Sequence, residues 1–372
     1  MNKIALLGVF CAAFGAFLPF LTLKANRLLA GTALGFSAFG FVYLLGLGII
    51  LLTLPLAWFK IKSRAVFLVL LGNFGLLALF TGLSLLSQDL GVNPISRVSP
   101  ASGFWLWLLA AWLVAYAGAL ELRQTWLAGL GLLAGAGFLV FGAFDSLSLL
   151  REYSANQNEF WTEVLRHLAL AFWAWVLSSL LGLMLGVYAA SRAWASGFIL
   201  GIANGLQTIP SIALFALLIP FFSALSQAIP WLETLGIRGI GFAPALTTLT
   251  LYGLLPVLRG TILSLQNVAE APLEAARGLG LTDNQIFWQV RLPLAVPLLL
   301  EGLRLAAVSL VGLAALSSLI GAGGLGAFIF TGLGNGAIDR VLLGAIPTLL
   351  LAVLVNSGLR GLEWGITPKG LK

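Results

Sequence analysis

The sequence predicts an all-α membrane protein with about ten transmembrane helices. Three observations carry that reading. Of 372 residues, 60% are hydrophobic and only 9% are charged, with a mean hydropathy of +1.04, whereas a water-soluble domain carries about 25% charged residues. The apolar residues gather in runs of roughly 20, the length that crosses ~30 Å of hydrocarbon at about 1.5 Å per residue. The basic residues stand singly between these runs, not in a stripe with interleaved aromatics. That placement fits positive charge flanking membrane spans and argues against nucleic acid as the partner of the +7 net charge.

The first run, Ile4 to Leu23, is longer than the apolar part of a secretory signal. It is bounded by Lys24 and Arg27 without a small-x-small site, so it is expected to be retained as a span. Cys11, the single cysteine, follows Phe10 where a lipoprotein site needs a small residue, and it is read as a small lipid-facing side chain. The next spans are expected at Phe36 to Phe59, Ala65 to Leu86, Gly103 to Leu120 and Trp126 to Phe144. Beyond them come Val164 to Ala190, Phe198 to Phe221, Ala243 to Ile262, Pro293 to Leu316 and Val341 to Leu362. If the chain starts in the cytoplasm, 12 of the 20 Lys and Arg residues fall on cytoplasmic segments and both termini lie inside. The cluster Lys60, Lys62, Arg64 is the firmest anchor, and Lys24 and Arg27 are a local violation.

Asp145 to Glu163 is the most polar stretch and reads as a linker. It separates an N-terminal transmembrane extension of about five helices, residues 1–150, from a second domain at 151–372. Only the second half carries marked intramembrane polarity, at Asn204, Gln207, Glu301 and Arg304.

Between the eighth and ninth spans, residues 266–293 have a legible local grammar. Pro272 suits a first helical turn, Glu274 is placed in that turn by the helix dipole, and Gly278 and Gly280 end the helix. Thr282 and Gln285 have capping-box spacing and start a second short helix that is expected to stop before Pro293. Ile286, Phe287 and Val290 share one face of that second helix, an apolar face that needs a partner.

The pattern Glu274-Ala275-Ala276, Gly280, Val290, Leu292-Pro293 resembles the EAA loop of ABC importer permeases, with Val290 where the family more often has isoleucine. The resemblance covers roughly Arg151 to Lys372. It implies a C-terminal five-helix type I ABC permease core whose loop forms coupling helices docked on an ATPase subunit. The runs Asn204 to Leu214, Ile320 to Gly326 and Gly344 to Pro347 look like the glycine betaine and choline osmoprotectant branch. The neighbouring amino-acid branches share such segments, which keeps an amino-acid or other small-solute permease as the alternative. By this resemblance the partners are a pair of ATPase subunits, an external substrate-binding protein, and a second permease in a homo- or heterodimer. ATP and Mg would sit on the ATPase partner, and no cofactor is expected on this chain.

Asn204, Gln207, Thr208 and Ser211 recur at helical spacing around Pro210, so one face of the seventh span is expected to line the translocation pathway. Glu301 and Arg304, at i and i+3, are expected to form an intramembrane ion pair. Gly321 to Gly326 fits GxGxxG only formally, because no strand precedes it and no acidic residue follows at the dinucleotide spacing. It is read as a close-packed turn on the external side. No Walker A sequence occurs, and His167, the one histidine, makes no metal site or catalytic constellation. The reading is therefore a transport subunit with no catalytic residues. An ion-coupled secondary carrier, with Glu301 as its one candidate ion carrier, is the less favoured class.

Overall fold

The computed structural model describes residues 2–26, 31–59, 63–91, 93 and 95–366. They form two compact units, Met1–Ala155 with Ala337–Asp339, and Asn156–Gly336 with Arg340–Lys372. Lys60, Lys62 and Arg27, invoked above for sidedness, lie outside the described residues, as do 367–372.

In the first unit, α1 (Lys3–Gly15) begins where the Asn2 side chain accepts from the N–H groups of Ile4 and Ala5. Its 13 residues reach only about 20 Å, so the expected first span is not one helix. Pro19 cannot donate within a helix and disfavours helical geometry at Leu18. The chain then extends into β1 (Leu21–Lys24), which pairs antiparallel with β2 (Thr32–Leu34) and β3 (Arg97–Pro100) in the order β2-β1-β3. This small sheet is an addition to the expected all-helical architecture.

The second expected span starts late, because a 3-10 turn at Phe36–Phe39 and Gly40, at φ +54°, precede α2 (Phe41–Trp58). Next come α3 (Arg64–Leu90) and α4 (Ser102–Glu121), whose backbones touch. A Cβ on Gly72 would lie 2.3 Å from the amide nitrogen of Ala115. A 3-10 turn at Thr125–Gly129 shortens α5 to Leu130–Val140. The core is aromatic: Phe20 lies 4.4 Å from Phe36, and Phe36 lies 4.3 Å from Trp107, between ring centroids. Arg64 meets Glu121 at 2.6 Å and Asn2 donates to the same carboxylate at 2.8 Å. The starts of α1 and α3 and the end of α4 therefore share one end of this unit.

The polar stretch from Asp145 to Glu163 is not an unstructured linker. It holds α6 (Ser148–Ala155) and the start of α7 (Gln157–Ala190). The second unit continues with α8 (Ala193–Thr208), α9 (Ser211–Ala228), α10 (Trp231–Thr234) and α11 (Phe242–Gln266). After these come α12 (Glu270–Gly278), α13 (Asp283–Ile286), α14 (Leu292–Ala314), α15 (Gly326–Gly334) and α16 (Ile338–Ile366).

Helix α11 is held between α7 and α14 by small residues. A Cβ on Gly182 would lie 2.6 Å from Val257, one on Gly186 2.6 Å from Thr261, and one on Gly260 2.8 Å from the Cα of Gly302. Such close approach replaces the hydrophobic driving force that helices lack in lipid. Leu170, Ala174, Leu249, Leu310 and Ala314 fill the core beside it.

Among the described residues, seven helices are long and apolar enough to cross a membrane. Three shorter apolar helices, Lys3–Gly15, Leu44–Trp58 and Thr125–Val140, stand where the first, second and fifth spans were expected. The seventh expected span is not continuous: Ile209 (φ −73°, ψ 125°) and Pro210 (φ −55°, ψ 136°) are extended and split it into α8 and α9.

Candidate functional site

The loop between α11 and α14 forms two short helices around a glycine elbow. Helix α12 starts at Glu270, so Pro272 sits in its first turn, where its missing N–H is harmless. Glu274 lies beyond that turn, contrary to the sequence expectation. Glu270 takes the dipole-favoured place and meets Arg277 at 2.7 Å, and this hydrogen bond raises the guanidinium pKa above its ordinary value. Gly280 adopts φ +80°, the left-handed conformation that a side chain disfavours, and turns the chain. Thr282 and Gln285 form the capping box: the Thr282 hydroxyl accepts from the Gln285 N–H at 3.4 Å, and the Gln285 side chain accepts from the Thr282 N–H at 2.9 Å.

The second helix does not stop before Pro293. It widens into a five-residue π-helical stretch, Phe287–Arg291, and runs on through Leu292 and Pro293 as α14, one helical segment from Asp283 to Ile320. The widened turn accommodates the proline, whose ring would press on the carbonyl of Gln289 four residues back in a regular helix.

Ile286 is buried with Leu273 and Ala276, and Val268, Leu281 and Val290 pack against them. The apolar face expected to seek a partner is thus largely consumed inside the loop, and it locks the two helices together. The surface left open is different. Glu274, Ala275, Gly278 and Gly280 are exposed and Leu279 is 81% exposed. Glycines 278 and 280 have nothing within 4 Å of where a Cβ would stand. Alanine and glycine make up much of this open surface, and Leu279 is its most exposed apolar side chain.

At the α8–α9 break the polar side chains meet α11. Asn204 accepts from the Arg259 guanidinium at 2.5 Å, and Gln207 Nε2 donates to the Tyr252 carbonyl at 3.0 Å. Thr208 caps its own helix by donating to the Gly205 carbonyl at 2.7 Å. The Tyr252 hydroxyl donates to the carbonyl of Ile209. Pro210 forms the N-cap of α9, with Ser211 its first residue. Tyr252 and Arg259 were not singled out from the sequence. A signal existed in Pro256, which has no N–H to offer the carbonyl of Tyr252 four residues before it.

Arg304 lies 3.6 Å from Glu301 on its own helix and 3.4 Å from Glu363 on α16, and it donates to Asn356 at 3.2 Å. The guanidinium therefore joins α14 to α16, a role invisible in the i, i+3 spacing. At the other end of the unit, Gly321, Gly323 and Gly324 take φ of +75°, +77° and +96°. The turn is held by Glu163, which is buried, accepts from the Gly324 N–H and meets Arg166 at 2.7 Å. His167 is fully buried beside it, with Nε2 3.0 Å from the Val311 carbonyl oxygen.

A bundle of apolar helices entered by a pair of short, exposed helices, with a broken span beside it, has the build of a membrane transport subunit. Residues 182–366 match the model for the binding-protein-dependent transport system inner membrane component, and residues 2–150 match that for the ABC transporter permease YehY, N-terminal domain. The carnitine transport permease protein OpuCB of Listeria monocytogenes is 34% identical over 220 residues, 59% of this chain and 94% of that protein. The osmoprotectant import permease protein OsmW of Salmonella typhimurium is 38% identical over 211 residues, 56% of this chain and 91% of that protein. The ergothioneine transport permease/ergothioneine binding protein EgtU of Helicobacter pylori is 40% identical over 175 residues, 47% of this chain and 29% of that protein. The chain belongs to the inner-membrane components of binding-protein-dependent ABC transporters. It is a transport subunit, not an enzyme.

Proposed function

We propose that this chain is the permease of an importer for a small osmoprotectant of the glycine betaine, choline or carnitine type, driven by separate ATPase subunits that carry ATP and Mg. The observation that carries the coupling half is the exposed surface of α12 and its elbow, Glu274, Ala275, Gly278, Leu279 and Gly280, small enough for close docking and backed by the buried Leu273–Ala276–Ile286 cluster. Ala276, Val290, Leu292 and Pro293 complete the motif from behind that surface, linking it to α14. The chain contains no Walker A sequence of its own. The carnitine and osmoprotectant permeases among the relatives support the osmoprotectant class, and the ergothioneine relative keeps other small solutes as the second reading.

In this reading residues 1–150 are an N-terminal transmembrane extension and 151–372 the type I transmembrane domain. Both termini and the loop at 266–293 face the cytoplasm, two permeases pair, and a binding protein delivers cargo from outside. Asn204, Gln207, Thr208, Pro210 and Ser211 border the pathway at the break between α8 and α9. A quaternary ammonium cargo is held best by an aromatic cage, which the binding protein would supply because the permease must release what it passes.

Co-purification tests the coupling. The complete transporter is expected to retain its ATPase subunits through detergent extraction, and Glu274→Trp, on an exposed position, is expected to lose them while the permease still folds. An intact complex with that variant overturns the assignment of this surface.

A further inference from the structure

Two helix defects in the second unit repair each other. At Ile209 and Pro210 the chain leaves helical geometry, so the Ile209 carbonyl has no helical donor. Across from it, Pro256 offers no N–H to the Tyr252 carbonyl. In a hydrocarbon medium both oxygens need partners. Tyr252 supplies one with its hydroxyl, donated to Ile209, and Gln207, two residues before the break, supplies the other with its amide, donated to Tyr252 at 3.0 Å. The Asn204 to Arg259 bond, at 2.5 Å, ties the same two helices one turn further on.

Helix α11 carries this junction and continues past Pro256 to Gln266, and α12 begins at Glu270. Gly260 on α11 also lies in backbone contact with Gly302 on α14, which leaves the second short helix without interruption. Both helices that leave the α12–α13 pair are therefore packed together at the level of the junction.

We infer that Tyr252 and Gln207 are positioning residues for transport, latching the α8–α9 break to the Pro256 kink of α11 so that the break moves with the coupling helices. The inference rests on the transport reading given above. Gln207 then acts through Tyr252 and not by touching cargo.

The test uses the complete transporter in proteoliposomes, with uptake of labelled glycine betaine and ATP hydrolysis measured together. Gln207→Leu is expected to leave assembly and hydrolysis in place and to lower uptake per ATP on the order of fivefold, the scale of one hydrogen bond. Pro256→Ala gives the Tyr252 carbonyl a helical N–H in place of Gln207 and so releases the same half of the latch, and adding Gln207→Leu to Pro256→Ala is therefore expected to cost little more. Tyr252→Phe is expected to uncouple in either background, because the Ile209 carbonyl stays without a donor. An equal cost of Gln207→Leu in both backgrounds, or a raised KM that persists beside Pro256→Ala, overturns the latch and returns Gln207 to direct contact with cargo. Should Pro256→Ala alone abolish uptake, Tyr252→Phe decides, and normal coupling there overturns the inference. Failure of the importer reading itself looks different: the unaltered transporter would show no ATP-dependent uptake of any osmoprotectant.

Discussion

Gly280 separates two reasons for a glycine. Its φ of +80° is a backbone demand, while the space around a would-be Cβ is empty for 4 Å. Within this subunit Gly280→Ala therefore costs only the left-handed conformation, about 1–2 kcal/mol, and Gly280→Asn costs less, because asparagine tolerates that region. Thermal melts of the purified permease are expected to rank the alanine variant below asparagine, with asparagine near the unaltered protein. The opposite ranking would show that side-chain packing sets the requirement. Arg304 carries a related lesson. Its partners Glu363 and Asn356 are 59 and 52 positions away in sequence (363 − 304 and 356 − 304) and adjacent in space, so residue spacing points to the local pair with Glu301, and the fold adds to it a bridge between helices.

At the scale of the element, the second short helix of the loop between α11 and α14 is legible in the sequence at its start and not at its end. A capping box is local chemistry: two side chains and two N–H groups within four residues, and it formed as its spacing demanded. Thr282→Ala removes one of those reciprocal bonds and is expected to cost about 1 kcal/mol. Hydrogen exchange at the N–H groups of residues 283–286 would read it as faster exchange, and unchanged protection would show that the buried Leu273–Ala276–Ile286 cluster alone holds the helix. Pro293, by contrast, looked like a stop. The chain passes it by widening one turn into π-helix, a solution that depends on the span continuing into a packed bundle. The same tension, resolved the other way, breaks the seventh span at Pro210, where the Tyr252 hydroxyl on α11 donates to the freed Ile209 carbonyl.

For the whole molecule, the driving force can be tested without reference to any one residue. The second unit places Glu301, the candidate ion carrier, 3.6 Å from Arg304, so its charge already has a partner on this chain. Uptake in cells lacking any other osmoprotectant system is expected to fail on ATP depletion and to persist when the proton and sodium gradients are collapsed. Betaine-type solutes should compete and proline should not. Uptake that follows the ion gradient instead would overturn the ABC assignment of the driving force.

What was legible in the amino-acid chain is whatever depends on near neighbours and on the solvent. Apolar run length announced the membrane, the Glu274 to Pro293 pattern announced the family, and Thr282, Gln285 and Gly280 announced how the loop between α11 and α14 turns. Each follows from periodicity, capping or backbone sterics within a few residues. Where the helices break, which face of the loop stays open, and which group satisfies a stranded carbonyl all depend on packing between distant segments. Leu273 and Ala276 buried Ile286 and left Leu279 outside, and Tyr252 completed Ile209 from 43 residues away. In hydrocarbon no water is available to satisfy a broken backbone, so the place of a break is set by whichever neighbouring helix brings the missing donor.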